Sequence, residues 1–148
     1  MKTMFMLIGL PCSGKSTYVN SHYYNKIVLS MDIIRKAIFN VQFDIKYEKT
    51  VRSIFDEMLT YHLYTGKDVV IDNTNLAIKA RSKLISKANS YNYKVVLVHL
   101  NPPITEIYKR CKLRENYETW LDIINEMQKF YKQPKRTDHG VYELIIIK

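Results

Sequence analysis

Apolar and polar positions along this chain of 148 residues follow two patterns in turn. Short apolar runs rich in Val, Ile and Leu are typical of strands buried on both faces. Between these runs, apolar residues recur every three or four positions, as they do on one face of a helix. The predicted strands cover residues 4–8, 26–30, 68–72, 94–100 and 141–147. Strands that alternate with helices predict a three-layer α/β fold, in which helices cover both faces of a five-stranded, mostly parallel sheet.

The helical pattern is clearest over residues 45–64, and Gly66 is a plausible stop for that helix. Further helices are predicted over residues 15–22, 78–90 and 119–132. Another is expected to begin after Pro102 and Pro103, because proline is well tolerated in the first turn of a helix. No internal repeat or Gly/Ser-rich linker interrupts the pattern, so residues 1–148 are expected to form a single domain.

A glycine loop joins the first predicted strand to the first predicted helix. It reads Gly9-Leu10-Pro11-Cys12-Ser13-Gly14-Lys15-Ser16-Thr17 and fits the phosphate-binding (P-loop) pattern G-x-x-x-x-G-K-[ST] at every fixed position. Glycine lets the backbone turn its N–H groups toward phosphate oxygens, and the helix N-terminus adds positive potential. A purely structural turn would need neither the lysine nor the hydroxyl that follow Gly14.

The chemistry of this loop predicts a site for ATP and Mg²⁺. Lys15 is expected to reach the β- and γ-phosphates, and the Ser16 hydroxyl to bind Mg²⁺. Asp72, at the end of the third predicted strand, is the expected second metal ligand. The nucleotide is expected to contact Gly9, Pro11, Cys12, Ser13, Gly14, Lys15, Ser16 and Thr17.

Polar residues also follow the second and third predicted strands, and ligands of parallel sheets bind at the carboxyl ends of strands. Asp32 is the candidate general base, with a helix N-cap as the alternative role. Arg35 lies one turn further on and could hold an acceptor phosphate or the transferring phosphate with its two-pronged guanidinium, or simply pair with Asp32. Thr74 and Asn75 are candidate acceptor contacts, or caps of the following helix.

Two arginines on the helix after Pro103 are candidates for a lid over the nucleotide. Arg110 and Arg114 are four residues apart, which is about one helical turn. One of them could close over the phosphates, and the alternative is a solvated basic face.

Charge and cysteine content narrow the choice of partners. Lys and Arg number 23 against 14 Asp and Glu, a formal net charge of +9 that favours an anionic partner. No apolar run is long enough to span a membrane, and no membrane partner is expected. The two cysteines, Cys12 and Cys111, have no metal-binding spacing, which favours a reducing, cytoplasmic setting (the host cytoplasm if the chain is phage-encoded).

On these residues the chain resembles the kinase module of the phage-type polynucleotide 5′-hydroxyl kinases, members of the P-loop kinase superfamily. The matching segments are residues 9–17, 30–35, 72–76, 110–114 and 131–134. The resemblance implies that Asp32 is the general base, that Arg35 binds the acceptor or scissile phosphate, and that Arg114 is the catalytic lid arginine. It also assigns Arg110, Arg114 and Pro134 to the nucleotide site. The chain departs from the family where Asn73 stands in place of an acid before Thr74.

Three functions remain open on the sequence. The first is ATP-dependent phosphorylation of the 5′-hydroxyl end of RNA or DNA, to which the resemblance points. The second is phosphorylation of a small molecule such as a nucleoside, a sugar acid or an antibiotic, because one fold serves many substrates. The third is nucleotide binding by a regulator without transfer activity. The sequence leaves the oligomeric state and the choice between RNA and DNA undetermined.

Overall fold

The computed structural model describes residues 2–148 and contains one five-stranded sheet. Its strands are β1 (Thr3–Ile8), β2 (Ile27–Leu29), β3 (Val69–Ile71), β4 (Lys94–Leu100) and β5 (Glu143–Ile147). They lie in the order β2-β3-β1-β4-β5, and every neighbouring pair is parallel. The predicted α/β P-loop fold is therefore confirmed, with a sheet that is parallel throughout.

The helices connect successive strands. They are α1 (Lys15–His22), α2 (Met31–Ile34), α3 (Ile45–Thr65), α4 (Ile78–Ser90), α5 (Ile104–Cys111) and α6 (Tyr117–Phe130). A π-helical turn, Arg35–Phe39, continues α2. The helix α3 ends at Gly66, whose left-handed backbone (φ 75°) confirms the predicted stop. The helix α6 begins and ends two residues before its predicted bounds. Its end falls at Phe130 because the backbone of Tyr131 is extended.

Alternating side chains of β1 face two separate cores, one on each side of the sheet. Met4, Met6 and Ile8 pack with the apolar faces of α3 and α4, whereas Leu7 packs with α1 through Val19. Successive residues of a strand point to opposite faces, so a strand buried on both sides must be apolar at every position. This requirement explains why the central strands were readable as continuous apolar runs.

A third apolar cluster fixes the lid, which consists of α5, α6 and the turn between them. Ile107, Cys111 and Ile124 of the lid pack against Leu10 and Leu76. Leu10 belongs to the glycine loop and Leu76 to the loop after β3, so the lid is packed directly onto the carboxyl edge of the sheet. Within residues 2–148, no helix is both long and apolar enough to cross a membrane.

Candidate active site

The glycine loop lies between β1 and α1, and its conformation requires glycine at two positions. Gly14 has φ 99°, in the left-handed region, and a Cβ there would lie 3.3 Å from Nη1 of Arg110. A Cβ on Gly9 would lie 2.6 Å from the Ser13 hydroxyl oxygen and 2.8 Å from the Leu100 carbonyl oxygen. Such contacts exclude any larger residue at Gly9, so the loop can close tightly at the N-terminus of α1. This is the glycine conformation that lets backbone N–H groups turn toward a phosphate chain.

Lys15 folds back over the glycine loop. Its Nζ donates hydrogen bonds to the carbonyl oxygens of Gly9 at 3.0 Å and Leu10 at 2.9 Å. Burial lowers the pKa of Lys15 to about 8, although the carboxylates of Asp72 and Asp32 act to raise it. A phosphate chain in the loop would offer this ammonium stronger anionic partners. Their negative charge would offset the free-energy cost of desolvating the ammonium. The residue fits the phosphate contact that the motif predicts.

Ser16 and Asp72, the two predicted metal ligands, meet across 56 residues of sequence. The Ser16 hydroxyl donates to Oδ2 of Asp72 at 3.1 Å. Burial raises the pKa of Asp72, against the opposing effects of the Ser16 hydroxyl and the Lys15 ammonium. One hydroxyl and one carboxylate beside a phosphate loop suit Mg²⁺, which is usually held by one or two protein oxygens together with substrate phosphates. These residues fit the metal.

Asp32 projects from α2 into solvent beside this loop. Its side chain is 83% exposed, and Oδ1 accepts a hydrogen bond from Nη1 of Arg35 at 2.6 Å. The alternative role of a helix cap is wrong, because Ser30 caps α2 by accepting from the Ile33 N–H. The carboxylate is therefore accessible to an incoming group while it pairs with Arg35.

Asn73 ties α2 to the loop after β3. Its side-chain oxygen accepts a hydrogen bond from the Met31 N–H at 3.0 Å. The residue that departs from the resembling family thus joins the strand ends that carry Asp32 and Asp72, and it does so without adding a charge.

Glu48 is a site residue that the sequence analysis missed. It lies in the first turn of α3, is 6% exposed, and accepts from Arg35 Nε at 2.6 Å and from Nη2 at 2.9 Å. This bidentate hydrogen bond raises the pKa of Arg35. Its position in the helix could have revealed it, because Glu48 lies on the same apolar face as Val51 and Phe55. A buried carboxylate on such a face needs a charged or hydrogen-bonding partner.

The pairing with Glu48 corrects the expected role of Arg35. Of the five N–H donors of a guanidinium, two go to Glu48, one to Asp32 and one toward the Met31 sulfur at 4.0 Å. The two-pronged face is therefore not available to a phosphate. One N–H on Nη1 remains for an acceptor, and the main effect of Arg35 is to hold Asp32 in position.

We expect Glu48→Gln to weaken both the fold and the site. An amide can accept only one of the two hydrogen bonds and turns its NH₂ toward a guanidinium. Removing one partner of a buried ion pair typically costs about 3–5 kcal/mol. Urea denaturation should report this loss, and the turnover of the folded fraction should also fall because Asp32 loses its support. Glu57→Gln, on an exposed position of the same helix, is the matched control. An unchanged midpoint for Glu48→Gln would contradict this account.

The loop after β3 places Asn75 and Thr74, both predicted to contact the acceptor, in different environments. Asn75 is buried, has φ 49°, and donates from Nδ2 to the Leu7 carbonyl oxygen at 2.7 Å. Its amide therefore fastens the loop to β1, and the acceptor contact of Asn75 stays a prediction. The helix α4 begins after Ala77 without a side-chain cap, so the capping alternative is wrong. Thr74 is half-buried and remains a candidate contact.

Arg81 was also missed by the sequence analysis. It is 2% exposed on α4, and its Nη1 donates to the carbonyl oxygens of Asn75 at 3.0 Å and Leu76 at 2.8 Å. Like Glu48, it lies on the apolar face of its helix, in phase with Ile85 and Ala88. The buried guanidinium fixes the loop that follows Asp72.

The two lid arginines both lie near the glycine loop. Nη1 of Arg110 donates to the Ser13 carbonyl oxygen at 3.2 Å, and its Nε pairs with Glu106. Arg114 is not on α5 as predicted but in the turn after it, with its guanidinium 4.8 Å from the centre of the Trp120 ring. Burial raises the pKa of the Cys12 thiol, and the positive charge of Arg114 opposes this rise, which places that charge close to the loop. The purely solvated alternative is therefore wrong for Arg110.

The remaining predicted nucleotide contacts border the same loop. Pro11 is half-buried, and Cys12 packs against the apolar cluster of the lid. Cys12 and Cys111 are both free thiols. Pro134 is buried in the segment after α6, which is held to the loop after β3 by a hydrogen bond from the Lys132 N–H to the Leu76 carbonyl oxygen.

Residues 4–134 match the protein family described as the AAA domain. The chain belongs to this family. The matched region runs from β1 to the segment beyond α6 and includes every candidate residue of the site. With its parallel sheet and glycine loop, the chain has the α/β fold of the P-loop kinases.

Two curated relatives match most of this chain. L-seryl-tRNA(Sec) kinase of Methanococcus maripaludis is 28% identical over 133 residues, which are 85% of this chain and 49% of the relative. The 2′,3′-cyclic-nucleotide 3′-phosphodiesterase of Rattus norvegicus is 27% identical over 131 residues, which are 86% of this chain and 30% of the relative. The chain therefore spans half or less of the length of these relatives.

Solved structures share the fold of this chain. A structure of the Pnkp1/Rnl/Hen1 RNA repair complex has a TM-score of 0.71 at 19% identity, over 90% of this chain and 48% of that chain. The APS kinase of Mycobacterium tuberculosis, in complex with AMPPNP and APS, has a TM-score of 0.68 at 15% identity, over 98% of this chain and 88% of that chain. A fungal RNA kinase has a TM-score of 0.61 at 17% identity, over 99% of this chain and 74% of that chain. Similarity at this level concerns the fold alone.

Proposed function

We propose that this P-loop kinase transfers the γ-phosphate of ATP to the 5′-hydroxyl end of an RNA or DNA strand. The observation that carries the proposal is the placement of Asp32. Its exposed carboxylate is held by Arg35 and lies near enough to Lys15 and Asp72 to alter the pKa of both groups. A base beside the phosphate loop is what a transferase requires, whereas a regulator that only binds nucleotide has no use for one.

The reaction assigns one task to each group of residues. Asp32 accepts the proton of the 5′-hydroxyl, and the hydroxyl oxygen bonds to the γ-phosphorus. The bond between the γ-phosphorus and the oxygen that bridges to the β-phosphate breaks, which releases ADP. The glycine loop and Lys15 hold the phosphates, and Arg110 and Arg114 offer positive charge from the lid. Mg²⁺ would be held by Ser16 and Asp72 and would neutralise charge on the β- and γ-phosphate oxygens.

Charge and relatedness favour a nucleic-acid acceptor. The net charge of +9 suits a polyanion, and the free N–H of Arg35 can reach a phosphate next to the reacting hydroxyl. One curated relative is named for an aminoacyl-tRNA substrate, and two structural neighbours are an RNA repair complex and an RNA kinase. The two free thiols suit a reducing compartment such as the cytoplasm.

A small-molecule acceptor is the second candidate, and one observation favours it. The chain covers 88% of the length of the APS kinase but only 48% of the Pnkp1 chain. The chain thus matches nearly the whole of that small-molecule kinase.

Transfer of labelled γ-phosphate to a panel of acceptors separates the two candidates. We expect 5′-hydroxyl oligonucleotides to be labelled, and a nucleoside 3′-monophosphate to be preferred over the bare nucleoside. Arg35→Ala should lose much of that preference, a ratio that a general loss of folding would leave unchanged. The kcat/KM for oligonucleotides should fall as salt rises, through counterion release. Efficient labelling of a sugar acid or bare nucleoside, with none of an oligonucleotide, would overturn the proposal.

A further inference from the structure

Phe43 is an exposed aromatic side chain at the acceptor side of the site. It lies between the π-helical turn and α3, and 64% of it is accessible to solvent. Its ring centre is 5.8 Å from Cζ of Arg35, the guanidinium that holds Asp32. One guanidinium group thus separates the ring from the proposed general base. The ring therefore offers an accessible apolar face beside the proposed reacting centre.

The surface around Phe43 has the composition of a single-strand binding site. Three other apolar residues of the same segment, Ile33, Ile38 and Ile45, are also more than half exposed. Lys36 and Lys49 are exposed nearby in sequence, and neither takes part in a salt bridge within residues 2–148. Aromatic rings that stack on bases, combined with cations that follow the backbone, are the features of proteins that bind single strands without strong sequence preference.

Building on the proposed function, we infer that the Phe43 ring is the platform on which the first base of the acceptor strand stacks. The 5′-hydroxyl would then lie at Asp32, the sugar beside the guanidinium of Arg35, and the base over Phe43. The spare N–H is on Nη1, the nitrogen that pairs with Asp32, and it would be the donor to the phosphate that follows the first sugar. A stacked base also explains why an exposed phenyl ring would be tolerated here, since every base offers a π-face to it.

Oligonucleotides with and without a base at their 5′ end test this inference. Wild type should phosphorylate a strand with a normal 5′ nucleotide with a higher kcat/KM than a strand whose 5′ residue is an abasic tetrahydrofuran. The expected ratio is roughly 5- to 150-fold, the range for a single base–aromatic stack. Phe43→Ala should reduce the ratio toward 1, and Phe43→Tyr should restore it. Tyr64→Ala, an exposed aromatic near the opposite end of α3, is the matched control and should keep the wild-type ratio.

The outcomes distinguish this inference from the proposed function. If wild type labels both strands equally well, or if Phe43→Ala slows both by the same factor, the ring does not stack on a base and serves only to support Arg35. In either case polynucleotide kinase activity would stand. If wild type labels neither strand, the proposed function fails and this inference fails with it.

Discussion

Replacing Asp32 with asparagine is expected to lower the rate of phosphoryl transfer by roughly 10²–10⁴-fold, the usual effect of losing a general base. The amide has nearly the same shape as the carboxylate but cannot accept the proton of the attacking hydroxyl. The affinity for ATP should change little, because the phosphates are held by the glycine loop. Single-turnover kinetics with saturating ATP measure the chemical step directly.

A surface aspartate provides the control for this substitution. Asp56 is about half exposed and pairs with Lys87 at 2.7 Å, so Asp56→Asn also removes one exposed ion pair. Such a pair contributes about 0–1 kcal/mol of stability, and the rate should stay at the wild-type value. If Asp32→Asn instead lowers the melting temperature while turnover per folded molecule holds, Asp32 is a structural residue and the general-base assignment is wrong.

Replacing Lys15 with alanine is expected to reduce transfer by at least roughly 10²–10³-fold, the effect of removing one donor that stabilises transition-state charge. The fold should survive, because Nζ contacts only two carbonyl oxygens of its own loop. Stability should even improve near neutral pH, since the variant no longer holds an ammonium in a buried position. Kinetics together with a thermal melt test both statements, and near-normal turnover would remove the central claim about the loop.

The lowered pKa of Lys15 gives this prediction a second readout. Burial brings the pKa to about 8 in the folded chain, below the ordinary value of 10.5. Between these values the unfolded chain binds more protons, so this group makes stability rise with pH from about 8 to about 10.5. Phosphates favour the charged lysine, so ATP binding near pH 8.5 should take up a fraction of a proton, about the deprotonated share.

Calorimetry in two buffers of different ionisation enthalpy measures that proton uptake. The apparent binding enthalpy of wild type should differ between the buffers, and the enthalpy of Lys15→Ala should not. An equal buffer dependence in both proteins would mean that another group takes up the proton. The carboxyl of Asp72 is not such a group at this pH, because metal binding would release its proton rather than bind one.

The glycine loop and the order of elements could be read from the sequence because both are local signals. Residues 94–100 and 78–90 were predicted as a strand and a helix, and these bounds match β4 and α4. A strand buried on both faces must be apolar at each position, and a helix on one face of a sheet must repeat its apolar residues every three or four positions. The contact of Ser16 with Asp72 follows from the fold itself, since parallel strands bring their carboxyl ends to one edge.

The support of the site could not be read in this way. Glu48 and Arg81 were visible as charges on apolar helix faces, but helical phase gives the direction of a side chain and not its partner. The same limit applies to Asn75, whose amide reaches the Leu7 carbonyl 68 residues away. Each of these groups is buried, and a buried polar group must find a hydrogen bond somewhere in the folded chain.

What the sequence determined by itself was therefore the scaffold and the candidate reacting groups: Lys15, Ser16, Asp72 and Asp32. What only the tertiary structure decided was how those groups are held. Glu48 pairs with the two-pronged face of Arg35, Asn75 hydrogen-bonds to the Leu7 carbonyl, and Arg114 lies in the turn after α5. The physical reason is that a backbone pattern depends on neighbours in sequence, whereas the pairing of buried polar side chains depends on which elements the whole fold brings into contact.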